Sequence, residues 1–511
     1  MVFICLWKPC QAPVVGLGED FVTPKNQNPE VTIDYSQCSK EPITRMGAIQ
    51  SYGGFIMVLD EAIIAYSKNI ELFISVNATE ILHQKVFDVA PDLAALLRAV
   101  PKELPIRQIF FQTLGLWIVG FRKVQSGSYH IEFFPQPTHL LDINGLEEEI
   151  EYLGRKFHYP AKDRSQFLGD VCHIFQKYLK FDQIFIQVLQ DGEVMEIVAE
   201  ANNGKIEDVL GLYFSSKEIP SQARDLYLKQ LLRFKLASHS TPVDLVSDSE
   251  EGVDLTHCFL REPSKFMTVY MQNISASTLL STSIIIDKKL AALLTMHNAE
   301  PICLDPRLFD RLVGVVHRVS LELLRIDDLI AKNADSKLWE LLMQDFSLNR
   351  LEALQELITS PNLPKSLAYS GAVVAKNGEA VCTVGEFPVD SVIKDIIQKA
   401  SSFKESTHHT SKLSKDFGLL VTSLGGFAGV MTITFEDLSL LFFRKSFPSE
   451  LRWRNAAPES YEVETNLPRF SPAGSFQFLI QEFQDQSRPW SEKDIAFSKV
   501  VAKWVAEDFE S

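Results

Sequence analysis

The sequence predicts an α+β protein of three antiparallel-sheet domains joined by long helices, the third domain carrying a long polar-aromatic excursion. Three observations carry this reading. Short runs rich in β-branched and aromatic residues recur in three separate regions, each punctuated by Gly, Asp or Ser turn signals. Helical periodicity falls mostly between those regions, at their borders. The chain has 511 residues, enough for three or four domains of ordinary size.

Residues 1–37 carry Pro, Gly and Gln-Asn punctuation with little periodicity and read as an irregular arm. In residues 38–140, Phe55 to Asp60 and Ala62 to Ser67 read as short strands, and Asn77 to Leu82 starts a helix. Ile106 to Phe111, Leu116 to Val124 and Tyr129 to Pro135 follow as a meander, with turns at Gly115 and Ser126-Gly127. Residues 141–325 open with helical patterns at Leu146 to Phe157 and Arg164 to Tyr178. Gln183 to Glu200 is a hairpin around Asp191-Gly192, and Ser283 to His297 a second one turning at Asp287-Lys288-Lys289.

Between the hairpins lies Leu210 to Tyr227, which sets Glu218, Ile219 and Pro220 between two aromatic anchors, Phe214 and Tyr227. Ser221 follows the proline where an N-cap belongs. The stretch is too polar for a core and too apolar for a free loop, and reads as one wall of a buried ligand pocket. Asp305 to Phe346 then shows one long helical pattern, with Leu312, Val316, Val319 and Leu323 on one side. It is either one connector or two helices broken near Asn333-Ala334-Asp335. Residues 326–511 form the third domain, with strands at Gly371 to Lys376, Phe417 to Leu424 and Phe427 to Glu436. Phe443 to Trp490 is a long excursion whose aromatics (Trp453, Tyr461, Phe470 and Phe476 among them) argue against plain disorder.

Composition narrows the function. A net charge of −16 without long single-sign runs argues against nucleic acid and anionic membrane surfaces as partners. The seven cysteines are scattered and form no CxxC, which argues against a disulfide framework or a structural zinc site and for free thiols in a reducing, cytoplasmic setting. The apolar N-terminus is too short for a secretory core, and no window is long enough to span a bilayer. No phosphate-binding loop, HExxH, GxSxG or dinucleotide fingerprint occurs, so no residue pattern announces an enzyme.

Three motifs line up in order. Cys38-Ser-Lys-Glu-Pro-Ile43 is followed by Gly47-Ala-Ile-Gln50 and Gly53. Phe214 leads into Glu218-Ile-Pro220, Gln222-Ala-Arg224 and Leu226-Tyr227. Asp254-Leu-Thr-His-Cys-Phe-Leu-Arg261 is followed by Tyr270-Met-x-Asn273 and ends in His297. Together they resemble the phytochromes, most closely the bacterial biliverdin-binding type, from about residue 30 to the C-terminus. The resemblance implies PAS (38–140), GAF (141–325) and PHY (326–511) domains, with a tongue at about 443–490.

The resemblance also implies roles. The cofactor would be biliverdin IXα, a linear tetrapyrrole, attached as a thioether to Cys38; the plant-type attachment position is Phe266. Arg233 and Arg261 would clamp the two propionates, since guanidinium forks suit carboxylates, with Ser281 in support. His297 would hydrogen-bond the ring D carbonyl, and Tyr227 and Tyr270 would pack near that ring. Glu218, Ile219 and Met267 would line the pocket. Simpler alternatives are an inert cysteine, surface ion pairs and core aromatics.

The departures concern switching. The family's Asp-Ile-Pro is here Glu218-Ile-Pro220, the pocket histidine is Met267, and a ring D tyrosine is Gln187. The tongue motif reads Pro472-Ala-Gly-Ser475-Phe476, so its arginine is lost, leaving Ser475, with Arg469 as a substitute if the register slips. The resemblance therefore implies a red/far-red photoreceptor, or alternatively a bilin-binding protein of weak photochromism, or a chromophore-free scaffold. Relatives of this kind dimerise through connector helices and pass the signal to a kinase or response regulator, in cis or in trans.

Overall fold

The computed structural model describes residues 41–74, 76, 81–106, 108–156, 164–190, 194–215, 221–343, 350–360, 363, 367, 369–403, 405–446, 451–454, 478–481, 487, 490 and 492–506. These residues form helices and three antiparallel sheets, as the patterning predicts.

The first sheet uses β1 (Ala48–Ile49), β2 (Gly54–Leu59), β3 (Ala62–Ser67), β4 (Ile109–Leu114), β5 (Trp117–Lys123) and β6 (Tyr129–Phe134). Asp60 and Glu61 both take positive φ, +48° and +64°, which gives the β2–β3 hairpin its tight turn. Alternation along the strands divides the two faces. Ile56, Val58, Phe121, Ile131 and Phe133 pack on the short helices α1 (Glu71–Ile74), α2 (Val86–Val89) and α3 (Pro91–Ala99). Phe55, Ala65, Ile118 and Phe134 face the second domain and share its core. The helix expected at Asn77 to Leu82 is not found in its described part, Ile81 and Leu82. Ile81 is 2% exposed and serves the core from outside any helix.

The second domain begins with α4 (Ile143–Lys156) and α5 (Arg164–Leu179). Its strands are β7 (Gln183–Gln190), β8 (Val194–Asn202), β9 (Tyr213–Ser215), β10 (Leu232–Lys235), β11 (Val243–Ser247), β12 (Thr278–Ile286) and β13 (Lys289–Asn298). Helices α6 (Ser221–Lys229) and α7 (Lys265–Asn273) lie in the insertion between β9 and β12, and α8 (Phe309–Met343) follows the sheet. The long pattern is thus one helix, unbroken at Asn333-Ala334-Asp335. The β12–β13 turn falls where expected, with Asp287 at φ +51° and Lys288 at +63°.

Strand β11 does not join the second domain's sheet. It pairs antiparallel with β1 and β3 of the first, Ala48 opposite Asp244 and Tyr66 opposite Val246. The segment before β2 is held by the same insertion on further sides. Leu255 N donates to Thr44 O at 2.8 Å, Gln50 N to Leu260 O at 2.8 Å, and Leu245 N to Gly47 O at 2.8 Å. The fully buried Gln50 side chain donates to Phe234 O at 2.7 Å and accepts from Leu236 N at 3.0 Å.

The third domain packs α9 (Arg350–Thr359) and helix Glu492–Ala506 on one face of a five-stranded sheet, and helices Asp390–Ala400 and Leu413–Phe417 on the other. The sheet comprises β14 (Gly371–Lys376), β15 (Glu379–Gly385), β16 (Thr407–Thr410), β17 (Phe427–Phe435) and β18 (Leu438–Lys445). The strand expected at Phe417 to Leu424 is absent. Phe417 ends a helix capped by Gly418 at φ +66°, and Val421–Ser423 is a 3-10 turn with Leu420 76% exposed. Phe443, expected to begin the excursion, is a buried residue of β18. Beyond it, β19 (Leu451–Arg454) and β20 (Phe478–Gln481) form an antiparallel hairpin. That hairpin joins the second domain's sheet beside β9, extending it to eight strands.

Candidate functional site

Period-two alternation builds the site. On one face of the second sheet, Leu280, Ile284, Leu294, Met296 and Ile184 pack on α4, α5 and α8. The opposite face carries Gln183, Ser281, Ser283, Thr295 and His297, all buried. Strand register puts Arg233 opposite Ser281 and Ser281 opposite Thr295; two steps along, Lys235 lies opposite Leu279 and Leu279 opposite His297. Helices α6 and α7 cover the β10 end of this face.

A cavity of about 90 Å³ lies there, lined among others by Tyr227, Arg233, Lys235, Cys258, Arg261 and Met267. Four of the predicted site residues, Tyr227, Arg233, Arg261 and Met267, therefore meet in one cavity wall. The Tyr227 ring lies 5.5 Å from the Arg233 guanidinium carbon. Burial raises the Tyr227 hydroxyl's pKa, and a hydrogen bond with Ser281 lowers it in part. Ser281 also bonds Thr295 at 3.1 Å.

Arg261 is 8% exposed, and its Nη1 donates to Ile43 O at 2.6 Å. Burial pulls its pKa down to about 10, against the pull of Tyr227, Glu262 and Glu41. Two guanidiniums of this wall keep a buried N–H nitrogen with no hydrogen-bond partner: Arg233 Nη2 and Arg261 Nε. Leaving such donors unmet costs on the order of 1–3 kcal/mol each, so the wall is poised for an anion.

His297 and Tyr270 form a neighbouring group, with ring centroids 6.1 Å apart. His297 is fully buried, stacks edge-on against Phe185 at 5.2 Å, and its Nδ1 lies 2.9 Å from Gln183 Oε1. Gln187 is half-buried on β7, across from Leu293. Cys38, Glu218, Ile219, Arg469 and Ser475 lie outside the described residues.

Sequence reasoning missed a second charged feature of the wall. The Lys235 Nζ donates to both carboxylate oxygens of Glu262, at 2.8 and 2.9 Å, with side chains 1% and 7% exposed. Burial pulls the lysine's pKa down and the carboxylate's up, and each partner offsets the other's shift. Strand periodicity was the available signal, since Lys235 follows Arg233 by two residues. A third feature is Glu132, fully buried on β6, whose Oε2 accepts from Leu260 N at 2.9 Å and from the Cys258 thiol at 3.1 Å. It ties the first sheet to the loop that carries Arg261.

Among the described residues, no group of His, Cys, Asp and Glu is arranged to hold a metal ion. No helix among them is long and apolar enough to cross a membrane.

Comparison with known proteins bears on this site. The family model described as "Phytochrome region" matches residues 335–510, and that described as "PAS fold" matches residues 38–115. A bacteriophytochrome of Pseudomonas aeruginosa is 22% identical over 91% of this chain and 66% of its own length. Cyanobacterial phytochrome B of Nostoc is 23% identical over 91% of this chain and 64% of its own. The chain thus spans about two thirds of the length of these relatives. The crystal structure of a bacteriophytochrome from the photosynthetic bacterium R. palustris superposes with a TM-score of 0.66 at 19% identity, covering 92% of this chain and 98% of that one. With its PAS and PHY regions matched in order and its three-sheet fold shared, the chain belongs to the phytochrome family.

Proposed function

We propose that this chain is the photosensory part of a red/far-red light receptor, holding biliverdin against the polar face of the second sheet, attached through Cys38. The observation that carries the reading is the pair of buried, unmet guanidinium N–H groups in the wall of one mostly apolar cavity, Arg233 Nη2 and Arg261 Nε. An apolar ring system with two carboxylates answers both features.

When bound, the tetrapyrrole supplies visible absorption and a double bond that isomerises in light. Arg233 and Arg261 hold the carboxylates, with Ser281 behind them. Tyr227 lines the cavity, while Tyr270 and His297, outside its lining, would contact the isomerising ring. The cavity, about 90 Å³, is well below the roughly 300–1,000 Å³ usual for such ligands, so uptake widens the gap between α6 and α7. The β19–β20 hairpin, seated on the sheet just upstream of Glu218, is the element that senses movement in the pocket. From it, α8 and its dimer partner carry the change to a kinase or response regulator, in cis or in trans, in the cytoplasm.

A second reading, bilin binding with weak photochromism, is favoured by Met267 in the cavity wall. A thioether supplies no N–H donor and only a weak acceptor where the family has a histidine. The deciding experiment adds biliverdin to wild type and Cys38→Ala, then records absorption before and after red light. Full far-red conversion supports the receptor and excludes the second reading. Stable uptake without conversion supports the second reading. No uptake by wild type, and no zinc-induced fluorescence on a denaturing gel, leaves a chromophore-free scaffold. Loss of that fluorescence in Cys38→Ala alone supports the attachment point.

A further inference from the structure

The cavity wall holds three cations, Arg233, Lys235 and Arg261, and among the described residues no carboxylate lines it directly. The three are not equivalent. An ammonium has three N–H donors. Those of Lys235 go to Glu262 Oε1 at 2.8 Å, Glu262 Oε2 at 2.9 Å and Ser240 Oγ at 3.3 Å. Arg233 Nη2 and Arg261 Nε, by contrast, are buried and unmet. The chain has therefore met one cation with its own carboxylate and left two guanidiniums for something else. The pair is a local device. Lys235 stands two residues from Arg233 on the same strand face, and Glu262 stands next to Arg261.

We propose that Glu262 is a specificity-determining residue: it occupies Lys235 as a built-in carboxylate, so that the cavity takes an apolar ligand with two free carboxylates and offers no third anion subsite. This rests on reading the cavity as the tetrapyrrole site. The alternative source of such a pair is fold specificity alone, a use that buried ion pairs also have. The two diverge once Glu262 loses its charge. A purely structural pair loses binding of every ligand alike. A self-occupied subsite, once vacated, gains binding of carboxylates only.

The test is an equilibrium titration of the full chain in a Cys38→Ala background, so that attachment does not mask affinity. The probes are biliverdin and its dimethyl ester, read by bilin absorbance, with far-ultraviolet circular dichroism checking the fold. The parent is expected to prefer the diacid by about tenfold or more, from charge-assisted hydrogen bonds to two guanidiniums. Glu262→Gln is near-isosteric and its amide holds Lys235 less strongly. It is expected to bind the diacid several-fold tighter, roughly up to tenfold, with the ester unchanged. The apolar replacement Lys235→Met/Glu262→Leu removes cation and carboxylate together and is expected to keep the parent's ratio of diacid to ester.

Equal changes for diacid and ester in Glu262→Gln, or no gain for the diacid, overturn the proposal. So does a gain of the same size in the double replacement. If Glu262→Gln does not fold, Glu262→Ser carries the same prediction. A parent that binds diacid and ester equally overturns the charge argument while leaving the tetrapyrrole reading intact. A parent that binds neither overturns both.

Discussion

Trp453 of β19 pairs in parallel with Tyr213 of β9, and this one register contact seats the third domain's hairpin on the edge of the second domain's sheet. Strand β9 ends at Ser215, just ahead of the Glu218-Ile-Pro220 motif. The hairpin therefore pairs with the strand that leads into that motif. Proline on that edge removes a donor the ladder needs. Phe214→Pro is expected to unseat the hairpin. Hydrogen exchange at 451–454 and 478–481 should quicken, while the first sheet keeps its protection. Unchanged exchange there would show that the hairpin holds its position without β9.

Gln50 joins the first domain to the pocket insertion through two buried backbone groups, Phe234 O and Leu236 N. Gln50→Ala leaves both without a partner. The expected destabilisation is about 2–6 kcal/mol by denaturant titration, taking about 1–3 kcal/mol for each group. Because the insertion holds both domains, their transitions should shift together. A shift confined to the first domain would contradict the shared anchoring.

Arg444 closes the base of the third domain's excursion. Its guanidinium stacks 3.8 Å from the Trp490 ring centroid and donates to Asp494 Oδ2 at 3.0 Å and Leu367 O at 2.6 Å. Arg444 and Asp494 are 7% and 5% exposed. Arg444→Ala takes the guanidinium from a buried carboxylate and is expected, by denaturant titration, to cost the third domain up to about 3–5 kcal/mol. Arg444→Lys should recover little, because an ammonium neither stacks flat nor forks. Full recovery in the lysine variant would mean that charge alone matters at this position.

His130 gives a pH prediction. It is 2% exposed on β6, and burial, followed by the Arg122 guanidinium, lowers its pKa to about 4. The unfolded chain takes up this proton near pH 6.5, whereas the folded one resists until about pH 4. Stability from this group is thus full above 6.5 and falls as pH drops toward 4, by up to about 3 kcal/mol. Denaturation at stepped pH should show that fall, and His130→Gln should flatten it. An equal fall in the variant would assign the loss to other groups.

The sequence by itself determined the elements whose signals are local. Runs of β-forming residues located strands β2 and β3, the same signal with an Asp287-Lys288-Lys289 turn located the β12–β13 hairpin, and the 3.6 period located α5 and α8. The phytochrome resemblance singled out Tyr227, Arg233, Arg261 and Met267, which meet in one cavity. Local signals also misled: Phe417 to Leu424 looks like a strand, but Gly418 in the left-handed region ends a helix there.

The tertiary structure alone decided relations between distant segments. Strand β11 leaves its own domain to pair with β1 and β3, because unpaired backbone groups there find partners nearly 200 residues away. Lys235 and Glu262 are 27 residues apart, and either one alone reads as an ordinary surface charge. Burial forces them together, since neither charge is tolerated alone in a dry wall. Period and spacing carry no information about which distant group satisfies a buried one; only packing supplies it.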